Sequence, residues 1–164
     1  MLAGRTVNVF DPQMAGGALL DLGVYCAHVL VALFGSPLTV TSCSIPVPTG
    51  ADGAGAALAL YPGFVADLSW SKITSSSSPS EIRGELGSLS VDHVASPRAL
   101  VLTGADGSVD PFAVDAESHT LVPQIERFVH LVRTGRTSVP EHGTTRDALR
   151  LVDRIRQQDA GGLR

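Results

Sequence analysis

Residues 18–34, ALLDLGVYCAHVLVALF, form the most apolar stretch of the chain and limit the fold more than any other segment. At 17 residues the run is shorter than the roughly 20 needed to cross a bilayer, and it carries Asp21 and His28. It is therefore expected to be a core helix and not a membrane span. Gly16-Gly17 precedes it and Gly35-Ser36-Pro37 follows, a glycine and a proline placed to stop a helix of four to five turns. Because the run is apolar on nearly every side, most of its surface is expected to be covered.

After the helix the periodicity changes from helical to two. Short alternating runs at 38–47, 56–61, 64–73, 82–94 (folded back at 85–88), 99–102 and 109–114 predict a meander of strands. Tyr61-Pro62-Gly63-Phe64 is a tight turn, with proline presetting φ and glycine taking the positive φ that follows. Phe64, Ala66, Leu68 and Trp70 alternate with Asp67, Ser69 and Ser71, which predicts one buried and one wetter face, with Trp70 in a core or sheet interface. The serine-rich 75–80 has too little apolar surface to pack and reads as a mobile loop, while Gly50, Gly53 and Gly55 read as lying between strands.

Two helices close the chain. Leu121, Val122, Ile125, Phe128, Val129 and Val132 form a stripe ending at Gly135, and Ala148, Leu149, Leu151, Val152 and Ile155 form a second in a helix starting near Thr144. The order predicts a single α+β domain over 1–164: an open, largely antiparallel or mixed sheet, helices on one face, the other face free for dimerisation. At 164 residues one sizeable core is the default.

Several functions are disfavoured by composition. The net charge is −4, and the eleven arginines and the single lysine, Lys72, are scattered, so nucleic acid is not an expected partner. Cys26 and Cys43 have neither metal-site nor disulfide-framework spacing and are expected to be reduced, buried and cytoplasmic. The first eight residues lack an apolar stretch behind a basic start, so no secretory leader is expected. His93, His119, His130 and His142 stand alone and read as surface or helix-face residues, with a substrate-side role conceivable for His119 only.

Chemistry points to the polar positions of the first helix. Asp21, Tyr25 and His28 are spaced four and three apart, so a regular helix puts them on one side. Such a stripe suits proton handling: a phenol or imidazole beside a substrate hydroxyl, with a carboxylate to orient it. The same spacing also fits purely structural roles, with Asp21 on backbone amides, Tyr25 on a carbonyl and His28 satisfied in the core.

Residues 11–25, DPQMAGGALLDLGVY, resemble the segment that opens the second domain of the glucose-fructose oxidoreductase / inositol dehydrogenase / MocA family, which pairs glycines with Asp-x-Gly-x-His or Asp-x-Gly-x-Tyr. Gly35-Ser36-Pro37, Tyr61-Pro62-Gly63, the 82–91 hairpin and the two final helices agree in outline. The resemblance implies that Asp21 is the active-site aspartate and Tyr25 the tyrosine variant of dihydrodiol dehydrogenase-like members, exchanging a proton with the carbinol oxygen. Gly16 and Gly17 would allow close approach of substrate, with His28 on the substrate side. It further implies NAD or NADP, held with a catalytic lysine of a Glu-Lys-Pro motif by a separate dinucleotide-binding domain.

This chain has no Glu-Lys-Pro and no GxGxxG between a strand and a helix. It is expected to bind no cofactor or metal itself, to pair as a homo-oligomer and to take a small-molecule substrate with no membrane partner. Lys72, at a strand end, reads as a solvated edge charge. Two other readings remain: a non-catalytic binding or oligomerisation module with the same fold, and an independent hydrolase or isomerase with a closed pocket lined by Asp21, Tyr25 and His28.

Overall fold

The apolar run does become helix, entered through a wider turn. In the computed structural model, which describes residues 8–114 and 121–159, Leu19–Gly23 forms a π turn and continues into α1, Val24–Phe34. Gly35 ends α1 at φ 75°, its N–H returning to the Val31 carbonyl. The wider helical segment Pro12–Phe34 spans 23 residues and is long and apolar enough to cross a membrane by length and composition alone. Ala18, Leu19, Ala27, Leu30 and Val31 are nevertheless buried in a protein core. The expectation of cover on most sides is not met: Leu22, Tyr25, Leu33 and Phe34 are exposed, because core residues reach α1 from one side only.

The described residues fall into two compact units, one running to Ser75 and resuming at Pro140, the other Ser76–Val139. The first holds β1 (Thr39–Pro46), β2 (Asp52–Tyr61) and β3 (Phe64–Ser71), an antiparallel sheet in chain order. Helix α1 and the last helix, Pro140–Asp159, pack on its inner face, where Val40, Ala57, Ala59, Tyr61, Leu68 and Trp70 meet Ala148, Leu151, Val152 and Ile155. Ser42 Oγ donates to the Ile155 carbonyl at 2.9 Å, and the Arg154 guanidinium donates to the carbonyls of Pro37 and Leu38 at 3.0 Å each. These bonds fix the helix on the β1 edge of the unit.

Three details differ from expectation for local reasons. β2 begins at Asp52, so Gly53 and Gly55 lie within a strand; a Cβ at Gly55 would stand 2.5 Å from the Trp70 ring, and the missing side chains make that room. The final helix begins at Pro140, where the missing N–H costs no helical bond, although its apolar stripe starts later. Cys43 is exposed and not buried, since alternation from the inward Val40 turns it to the outer face; Cys26 is half-buried, and both thiols are free.

The second unit is a four-stranded antiparallel meander, β4 (Ser80–Gly84), β5 (Gly87–Val91), β6 (Ala99–Gly104) and β7 (Val109–Ala113), followed by α2, Val122–Arg133, which makes the final helix α3. The residue pair Gly84 and Gly87 closes the first hairpin around Glu85-Leu86. The serine-rich 75–79 is irregular and contains the boundary between the units. The architecture is α+β with open antiparallel sheets. His93, His130 and His142 are exposed, and His119 lies outside the described residues.

Candidate functional site

The site is assembled where the turns before the apolar helix meet the start of β2 and the end of β3. Asp11 accepts from the Gln13 amide at 2.9 Å and caps the short turn Pro12–Met14, which brings Gly16 back against Asn8 and Asp11. A Cβ on Gly16 would lie 2.6 Å from both the Asn8 carbonyl oxygen and the Asp11 nitrogen. Gly17 has φ 152° and would place a Cβ against the Asp52 carboxylate. Both glycines therefore serve the packing of the turn, and both also line a surface groove of about 230 Å³ with Asn8, Val9, Leu20, Asp21 and Lys72.

Asp52 was not singled out by sequence reasoning, since a carboxylate opening a strand looks like a turn residue. Its Oδ2 accepts from the Leu19 amide at 2.7 Å and from the Trp70 indole N–H at 3.2 Å. One carboxylate at the start of β2 thus ties the first turn of the helix to the end of β3, and the buried indole finds its partner.

Lys72 is not a solvated edge charge. Its amide donates to the Gly53 carbonyl at 2.8 Å, prolonging the ladder past β3, and this carries the side chain under the N-terminal turns. There Nζ lies 2.6 Å from Asp21 Oδ2, 3.4 Å from the Val9 carbonyl oxygen and 5.5 Å from the centre of the Phe10 ring. The lysine side chain is 10% exposed and that of Asp21 56%. The pair is lopsided: a covered ammonium holds a carboxylate that still faces solvent.

Of the three polar helix residues, only Asp21 lines the groove. Tyr25 and His28 are exposed on α1, outside the lining of the groove. His28 is thus not a core histidine, and Asp21 does not spend its charge on backbone amides. The closed pocket lined by all three that an independent hydrolase or isomerase would need is not what this groove provides. An ionised carboxylate with one oxygen paired keeps lone pairs for hydroxyl donors, and that is the chemistry available here.

Residues 3–90 match the model of the GFO/IDH/MocA C-terminal domain. Among curated proteins, scyllo-inositol 2-dehydrogenase (NADP(+)) IolU of Bacillus subtilis is 31% identical over 95% of this chain and 48% of its own length. Mouse trans-1,2-dihydrobenzene-1,2-diol dehydrogenase is 34% identical over 57% of this chain and 29% of its own length. The chain therefore spans about half, or less, of the curated relatives it matches. Among solved structures, aldose-aldose oxidoreductase from Caulobacter crescentus, complexed with glycerol, superposes with a TM-score of 0.76 at 18% identity over 97% of this chain and 50% of that one. UDP-N-acetylglucosamine 3-dehydrogenase GnnA from Acidithiobacillus ferrooxidans gives 0.72 at 21% identity over 94% and 51%. At such identities the structures speak for the fold alone, whereas the domain model covers more than half of the sequence: the chain belongs to the GFO/IDH/MocA family of oxidoreductases, in its C-terminal domain.

Proposed function

We propose that this chain is the substrate-side and subunit-pairing domain of a cytoplasmic NAD(P)-dependent oxidoreductase acting on a CH–OH group of a sugar, polyol or dihydrodiol, and that turnover needs a nucleotide-binding domain beside it. The observation that carries the reading is the half-exposed Asp21 carboxylate at the rim of the groove, inside the segment that matches the family. Gly16 and Gly17 bring backbone to the same groove. On this reading Tyr25, exposed on α1 outside the groove, exchanges a proton with a hydroxyl of the substrate that reaches beyond it, and His28 belongs to the outer substrate side. The two relatives named above act on a cyclic polyol and a cyclic diol, both with neighbouring hydroxyls.

Two observations support leaving the cofactor to another domain. The groove of about 230 Å³ is smaller than the roughly 300–1,000 Å³ usual for ligand pockets, well short of a dinucleotide. The described strands pair only antiparallel, whereas a dinucleotide fold uses parallel strands meeting helix N-termini. Both support a reading in which NAD(P) is held by a separate domain. Free thiols, one of them exposed, suit a reducing compartment.

Subunit pairing is assigned to the outer face of the β1–β3 sheet. Leu60 and Val65 are cross-strand partners there, Leu58 and Ile45 extend the patch, and all four are exposed. Sedimentation should show a dimer that Leu60→Lys converts to monomer; a wild-type monomer would remove the pairing claim.

The substrate claim is tested by following backbone amide shifts of the 164-residue chain on addition of scyllo-inositol. Shifts are expected at 16–21, weakened about tenfold or more in Asp21→Asn by loss of a charged acceptor, with no NADPH formed from NADP(+) by the chain alone. Turnover by the chain alone refutes the need for a second domain. Binding indifferent to Asp21, or none, favours a non-catalytic module with this fold.

A further inference from the structure

Lys72 is the only lysine of the chain, and its position beside Asp21 has no explanation in strand propensity or edge protection. The ammonium has three donors, and each direction described above ends on protein: the Asp21 carboxylate, the Val9 carbonyl and the face of the Phe10 ring. With a side chain only 10% exposed, it has little surface to offer a ligand. Asp21 is the reverse, holding Oδ2 on Lys72 while more than half of its side chain meets solvent.

We infer that Lys72 is a positioning residue, which fixes the Asp21 carboxylate with one oxygen turned into the groove, and that the site is thereby specific for neutral hydroxyl donors over anions. This rests on the substrate-side reading proposed above. An unpaired carboxylate at the end of a flexible Cα–Cβ bond samples several rotamers, and ordering it on binding weakens the ligand. A lysine already holding it removes that cost and leaves an acceptor of set direction. With its ammonium committed to Asp21, the pair is close to neutral, and among the described residues that line the groove no other cation remains to draw in a phosphate or carboxylate.

The positioning claim is tested without ligand, by measuring the three-bond couplings that report the Asp21 χ1 rotamer. Wild type and Lys72→Arg should show one dominant rotamer, and Lys72→Met an averaged set, with melting curves confirming that each variant is folded. Should Lys72→Met fail to fold, Lys72→Gln keeps a donor without the charge and is expected to show the same averaging. A single rotamer in either neutral variant overturns the proposal. In the ligand arm, scyllo-inositol should bind Lys72→Met about tenfold more weakly than wild type, with Lys72→Arg recovering most of the loss, while inorganic phosphate leaves the groove amides unmoved. Phosphate binding at Lys72 overturns the specificity claim. If wild type binds no polyol while the rotamer result holds, the functional reading fails and the positioning role stands.

Discussion

The two units of this chain are built from similar antiparallel meanders, yet only one of them encloses a core. In the first, β1–β3 with the π turn and its cap Ala18, α1 and α3 bury fifteen clustered residues, among them Trp70, Tyr61, Leu151 and Ile155. In the second, β4, β7 and α2 contain no buried residue, and β5 is half-buried throughout. Of the stripe that marks α2 in the sequence, Leu121, Ile125, Phe128 and Val132 are exposed, and Val122 and Val129 are only half-buried. A periodic stripe thus identifies a helix without saying what it packs on. The first unit obtains its stability from apolar burial; the second depends far more on ladder hydrogen bonds and turns.

The widest test of this contrast is truncation at matched apolar positions. Leu151 is 1% exposed and among the largest fully buried side chains, and Leu151→Ala should cost about 3 kcal/mol through lost burial and an unfilled cavity. Leu102 on β6 is 43% exposed, and Leu102→Ala should cost under about 1 kcal/mol. Urea denaturation measures both. Equal costs would mean that the β4–β7 sheet is covered in solution, and the contrast between the units would then be one of assembly and not of fold.

A somewhat smaller effect is expected at Asp52, which joins the helix entry to the sheet of the better-packed unit. Asp52→Ala leaves the Leu19 amide and the Trp70 indole N–H without their acceptor, at a cost of about 1–3 kcal/mol. Denaturation gives the number. Since Asp21 lies two residues past Leu19, a stability loss accompanied by weaker polyol binding would show that core and site share one support. Loss of stability alone would separate them.

Most of the fold was legible because its signals are periodic. The apolar run, the change to period two, the turn at Pro62-Gly63 and the two stripes lie where the elements form, with Gly63 at φ 87°. The start of β2 was not, since glycine and alanine alternate with no contrast in polarity, and the partner that explains them, Trp70, is fifteen residues away from Gly55. At the site, Asp21 and the glycine pair were found through local spacing. Lys72 and Asp52 were missed because their roles come from strand pairing that joins residues 51 and 33 positions from their partners, Asp21 and Leu19. Local spacing also left open which of the polar helix residues meet the groove: Asp21 lines it, whereas Tyr25 and His28 are exposed outside it.

The smallest expected effects come from pH, and they separate the units by sign. In the first unit burial pushes the Cys26 thiol above its ordinary 9.0, and burial likewise raises the Tyr61 phenol above 10.0, partly offset by Arg154. Tyr61 also donates to the Gly35 carbonyl at 2.8 Å and stacks on Phe64. Raised acids favour their neutral forms in the folded state, so this contribution is complete below about pH 9 and is lost as pH climbs through the raised values. In the second unit the shifts run the other way. The Arg98 amide, and then those of Ala99 and His93, hold Asp92 below 3.8, while the Ser108 hydroxyl and amide do the same for Asp106. Depressed carboxylates stabilise above 3.8 and lose that contribution as pH falls through their lowered values. Amide exchange followed at both extremes should therefore show β1–β3 loosening first in alkali and the 92–98 and 104–108 turns loosening first in acid. Uniform loosening at either end would mean that the two units unfold as one.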